Sequence, residues 1–135
     1  MAYNIEDIEG IGEVYAEKLR SVDIRTTEEL LRSCSTPAGR KLLSETTGIS
    51  GKLILTWTNH ADLMRIKGVA GQFAELLEAA GVDTVAELAH RRADNLHAAL
   101  EKTNEARHLC GRVPAVAEIE KMIAQAKELP RALEY

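Results

Sequence analysis

Two short stretches hold the residue types and spacing best suited to chemistry: Ile8-Glu9-Gly10-Ile11-Gly12 and Ile66-Lys67-Gly68-Val69-Ala70-Gly71. An apolar–x–Gly–apolar turn entering a helix has three physical consequences. Glycine permits positive φ, or a close backbone approach that a Cβ would block. The second apolar residue, Ile11 or Val69, points inward and pins the turn to a core. The first amides of the following helix have no intrahelical acceptor, so they face outward, ready for an anion. Ala16 is small where the two flanking helices must cross closely.

Other constellations offer less. The histidines His60, His90, His97 and His108 show no H-x-x-x-H or H-E-x-x-H spacing, and only the pair His108/Cys110 places a cysteine beside a histidine. No metal site is expected, and surface or cap positions are the default for these side chains. Cys34 and Cys110 form no C-x-x-C pattern and are too few for a disulfide framework, so both are expected reduced and buried. Arg91-Arg92, followed by Asp94, could add an anion contact or simply make a solvated turn. The serines lie in no nucleophile elbow, Glu28-Glu29 project in different directions from a helix, and no Walker-type phosphate loop is present. These absences argue against an enzyme, and no cofactor is expected.

The elements that must position the two turns follow from an internal repeat. The 24 residues from Ile8 align with those from Ile66 at a constant offset of 58, with eight identities, including Gly10/Gly68, Ala16/Ala74, Leu19/Leu77 and Thr26/Thr84. Tyr15 and Phe73 occupy one repeated core position. Thr26-x-x-Glu29 and Thr84-x-x-Glu87 form capping boxes, Thr36-Pro37 starts a helix, and Gly48 stops one before a new cap at Ser50. Helices are expected over about residues 3–8, 13–21, 27–33, 37–47, 51–65, 71–80, 85–91, 94–103 and 114–128. The stripes Leu53, Trp57, Ala61, Met64 and Val116, Ile119, Ile123, Ala126 mark buried faces. No segment alternates with period two. The sequence therefore predicts an all-α fold, one compact helical domain over 1–135, built of pseudo-repeats at about 4–65 and 66–129. The second carries about half a dozen extra residues around Glu105–Arg112.

The pattern h-x-G-h-G-x-x-x-A-x-x-h resembles the helix-hairpin-helix motif. Ile8, Gly10, Ile11, Gly12, Ala16 and Leu19 fill it completely, and Ile66, Gly68, Val69, Ala74 and Leu77 fill it apart from Ala70 at the second glycine. The wider run resembles domain-of-unknown-function family 4332, an uncharacterised bacterial group built from such hairpins. TPAGRKLLSETTGIS, ADLMRIKGV, VDTVAELA, NLHAAL and IAQAKELP carry that likeness. The hairpin resemblance implies tandem repeats that contact nucleic-acid backbone phosphates without sequence specificity, and it allows a monovalent cation on the turn carbonyls. Gly10, Gly12 and Lys18 would serve the first turn; Arg65, Lys67, Gly68, Val69 and Gly71 would serve the second, with Arg91 and Arg92 nearby. Glu9, Glu13 and Glu17 crowd the first turn and repel phosphate, whereas no acid lies between Lys67 and Glu75. The second turn is the better phosphate site.

Composition narrows the choice of partner. Seventeen basic against 21 acidic residues give −4, which excludes bulk coating of nucleic acid or anionic membrane. Splitting the chain at residue 58 gives −2 on each side, so no basic half is hidden. Aromatics at 4% cannot build a base-stacking platform. The N-terminal residues carry no signal-peptide pattern and no apolar run approaches a membrane span, so a cytoplasmic protein is expected. Two classes remain: a binding module for DNA or RNA backbone, weak and salt-dependent, or a protein-interaction adaptor whose hairpins are purely structural. Tyr3, Tyr135 and the stretch from Leu129 are expected to be loose ends.

Overall fold

A computed structural model describes residues 3–135, and these are all-helical apart from a single isolated β-bridge between Asn4 and Thr26. The chain falls into two compact units, Met1–Asp62 with Ala132–Tyr135, and Leu63–Arg131.

The first unit opens on a 3-10 turn, Ile5–Asp7, where the sequence suggested a longer helix. Tyr3 and Ile5 exchange main-chain hydrogen bonds with Thr27 and Arg25 (2.9 and 3.0 Å), holding the entry extended. Tyr3 is therefore tied down. Then come α1 (Glu13–Arg20), α2 (Thr27–Ser33), α3 (Pro37–Thr47) and α4 (Gly51–Leu63), which carries the chain past the division. Local chemistry sets the helix ends. The Thr26 hydroxyl accepts from the Glu29 N–H (3.1 Å) while Glu29 Oε1 accepts from the Arg25 and Thr26 amides (2.8 and 3.1 Å). Pro37 takes the first position of α3 with Thr36 as cap, and Gly48 ends it at φ +75°. Ser50 Oγ accepts from the Leu53 N–H (3.3 Å) to begin α4. Ile5, Ile8, Ala16, Leu19, Leu30, Ile54 and Trp57 are buried. Tyr15 meets Trp57 edge-on, with ring centroids 5.0 Å apart.

The second unit contains α5 (Gly71–Ala79), α6 (Val85–Ala89), α7 (Ala93–Arg107) and α8 (Val116–Glu128), around Ile66, Val69, Leu77, Val82, Leu88, Leu96, Leu100 and Ile119. At Thr84 the hydroxyl accepts from the Glu87 N–H (3.2 Å), and among the described residues the reciprocal half of the box does not form. α7 runs a full turn beyond the expected 103. His108 closes it at φ +52°, and the Asn104 side chain brackets the exit by bonding both the N–H and the C=O of Cys110 (2.8 and 2.9 Å). α8 starts after Pro114 and not on it, because Glu118 reaches back to the Ala115 N–H (3.2 Å).

The C-terminal segment is not a loose end. Residues 132–135 return to the first unit, where Leu133 is buried and the Glu134 N–H donates to the Ser35 carbonyl (2.8 Å). Arg40 Nη2 donates to the Glu134 carbonyl (2.8 Å), and the Tyr135 hydroxyl donates to Asn59 Oδ1 (2.7 Å).

Candidate anion-binding turns

The two glycine turns share one backbone. Gly10 and Gly68 stand at φ +92° and +93°, and Asp23 and Gly81, again 58 apart, are both left-handed at +65° and +98°. Ile11 and Val69 each donate their amide back to the first apolar residue of the turn, Ile8 and Ile66 (3.2 and 3.1 Å). Ala16 and Ala74 make the first intrahelical bonds, to Gly12 and Ala70 (both 2.9 Å). Gly12 and Ala70 are N-caps with near-identical extended backbones and no side-chain cap bond. The amides of the next three residues therefore lack intrahelical acceptors in both turns.

The internal bond alters one assignment. Val69 is fully buried and spends its N–H on Ile66, so it contributes packing and not a contact. In the second turn the open amides start with buried Gly71, flanked by exposed Ala70 and Gln72. The first turn of α5 contains no acid, whereas α1 begins on Glu13. Lys67 is exposed and Arg65 half-buried. Lys18 lies in the last turn of α1, at the far end from Gly12, and Arg20 is committed to Glu6 (3.2 Å).

A helix braces each turn from behind. A Cβ on Gly10 would sit 3.6 Å from Trp57 Nε1 of α4, and one on Gly68 would sit 3.4 Å from Met122 Cε of α8. Three residues past Met122, Gln125 Oε1 accepts from the Lys67 N–H (2.6 Å). His60 stands three past Trp57, buried and not at the surface as expected for a histidine. Sequence reasoning missed Gln125, because its partner is 58 residues away and glutamine on a helix carries no signal.

Arg91 and Arg92 do not join Lys67. With 3.6 residues per turn, Met122 and Gln125 share one side of α8, while Glu120, Ala124 and Lys127 share the other. The arginines line an open groove of about 480 Å³ with that second side. Arg92 pairs with Asp94 (3.1 Å), and Asp94 Oδ1 accepts from the Asn95 N–H (2.8 Å). That amide bond, followed by Arg92, holds the Asp94 carboxyl below the usual carboxylate range. The start of α7 is thus already supplied with its own anion.

The remaining reactive groups are placed quietly. Burial pushes the Cys34 thiol up, opposed by a Thr58 hydrogen bond and by Arg40, so it stays protonated at neutral pH. Cys110 is half-buried, and neither cysteine is in a disulfide among the described residues. His90 and His108 cap helices, and His97 pairs with Glu101 (2.9 Å). Among the described residues, no group of three or more His, Cys, Asp or Glu side chains could hold a metal ion. Among them too, no helix is long and apolar enough to cross a membrane.

Fold and turns together define an all-helical protein in which one glycine turn and its following helix occur twice with the same backbone. Residues 9–129 match the family model described as Domain of unknown function (DUF4332), and the chain belongs to that family. No curated protein and no solved structure matches it.

Proposed function

We propose that the protein is a non-enzymatic helix-hairpin-helix module, and that its second turn contacts a nucleic-acid backbone phosphate without reading sequence. One observation carries this reading. Two turns of equal geometry differ in charge: α5 opens on amides with no side-chain cap and no acid in its first turn, next to exposed Lys67, while α1 opens on Glu13 beside Glu9. Amides at a helix start favour an anion, and a nearby lysine adds attraction that screening weakens. Such contacts set position on the backbone and carry no base information. The pinning of the Lys67 amide by Gln125 supports the reading, since a turn that is already rigid loses less entropy on binding.

The test is fluorescence anisotropy of labelled duplex DNA and RNA at low ionic strength. Binding should weaken as salt rises, and Lys67→Glu should weaken it more than Lys18→Glu, because Lys18 sits at the wrong end of α1. No binding by micromolar protein at about 50 mM salt would end the proposal. Co-purification with a specific protein partner that is indifferent to Lys67→Glu would favour the adaptor alternative.

A further inference from the structure

The way residues 132–135 sit in the first unit is more specific than the packing of a chain end. Leu129 is already extended at φ −80°, ψ 138°, and Pro130 follows, so the segment arrives as extended chain with no helix of its own. Successive side chains of an extended chain point to opposite sides. The contacts alternate accordingly. Leu133 is buried at 2% exposure, and Tyr135 lays its ring against the Arg40 guanidinium (5.9 Å to the centroid) while its hydroxyl donates to Asn59. Between them the exposed Glu134 is held through its main chain: its N–H donates to Ser35, and its C=O accepts from Arg40. Backbone bonds at one residue and side-chain reading at its neighbours is how extended peptides are recognised.

The receiving side is built independently of the segment. Arg40 Nη1 donates to the Cys34 carbonyl (2.9 Å), a bond that does not involve the segment and that aims the guanidinium towards it. A Cβ on Gly39 would collide with the Ser33 carbonyl, so α3 lies tight against the turn that presents the Ser35 carbonyl. Donor and acceptor are thereby held in register. Arg suits the task because its planar fork serves two carbonyls at once and still offers a face to an aromatic ring.

We propose that Arg40, the Ser35 carbonyl and Asn59 form a seat for an extended apolar–x–tyrosine segment, filled here by Leu133–Tyr135 as a tethered occupant and open to a separate peptide of that pattern when the tether lets go. Because it belongs to the same chain as its seat, the segment binds intramolecularly, at an effective concentration that a separate peptide has to match. A free peptide therefore competes poorly with the natural segment and well with a crippled one.

The probe is a fluorescent, N-acetylated peptide of residues 130–135, Pro-Arg-Ala-Leu-Glu-Tyr, titrated with the full chain and with its Leu133→Asp variant. The variant should bind it at least about tenfold more tightly than the natural chain. Adding Arg40→Met should remove that binding, as should leucine-to-aspartate exchange in the peptide. A Leu133→Asp chain of unchanged helix content that takes the peptide no better than the natural chain overturns the proposal. So does dimerisation of the natural chain with no peptide capture, which would assign the seat to exchange between copies. If Leu133→Asp does not fold, Tyr135→Ala removes the exposed ring over Arg40 and the hydroxyl bond to Asn59 without emptying the core, and is read by the same two outcomes.

Discussion

Gly68 and Ala70 lie two positions apart and make opposite demands on the backbone. Gly68 stands at φ +93°, where an L residue pays about 1–2 kcal/mol, while Ala70 stands at φ −98°, ψ −178°, extended backbone that any residue adopts. Gly12, the first turn's counterpart of Ala70, shares that extended geometry, and a Cβ there meets nothing within 4 Å. The departure of the second copy from the glycine pattern is therefore conformationally silent. Gly12→Ala should change unfolding free energy by less than about 0.5 kcal/mol. Gly10→Ala and Gly68→Ala should each cost at least about 1 kcal/mol, through φ and not through crowding. Urea denaturation of the three variants measures this. Equal losses at Gly12 and Gly68 would contradict it. At the left-handed Asp23 a short polar side chain tolerates what Gly81 provides in the second copy.

At the scale of elements, legibility followed distance along the chain. Starts of α2, α3 and α4 were legible because Thr26, Thr36 and Ser50 bond amides three residues ahead. The end of α7 was not, because His108 and the Asn104 bracket around Cys110 carry no common stop signal. The seat of the C-terminal segment was invisible for a deeper reason: Arg40 and Glu134 are 94 residues apart, and neither looks unusual in its own neighbourhood. Both glycine turns were visible from local pattern, and the Gln125 brace behind the second was not. The α2 cap also makes stability depend on pH. Amide donation from Arg25, foremost, and from Thr26 lowers the Glu29 pKa in the folded chain. A depressed folded pKa stabilises above the unfolded value, and that contribution is lost as pH falls through the folded value. Glu29→Gln should therefore unfold more easily than the natural chain at pH 7, with the gap narrowing towards pH 3. Thermal melts across that range would reveal it, and a gap independent of pH would remove Glu29 from the account.

At the scale of the whole molecule, charge sets how the proposed contact must behave. A net charge of −4, split evenly across the repeat, gives no long-range pull towards nucleic acid, so affinity has to come from a local contact. Of the two glycine turns, the second combines open amides with an exposed lysine and no acid in the first turn of its helix; Arg91 and Arg92 face the other side of α8, and Asp94 answers Arg92. Salt dependence counts neutralised phosphates at about 0.9 in log–log slope for each on duplex DNA. A protein engaging one turn should show a slope of about −1 to −2, far shallower than proteins making many phosphate contacts. Lys67→Glu should flatten it by roughly one unit, and Lys18→Glu should leave it unchanged. A slope steeper than about −4 would mean that several cationic side chains act together, whereas within the second unit Arg91 and Arg92 line the side of α8 away from the Gln125 that holds the Lys67 amide.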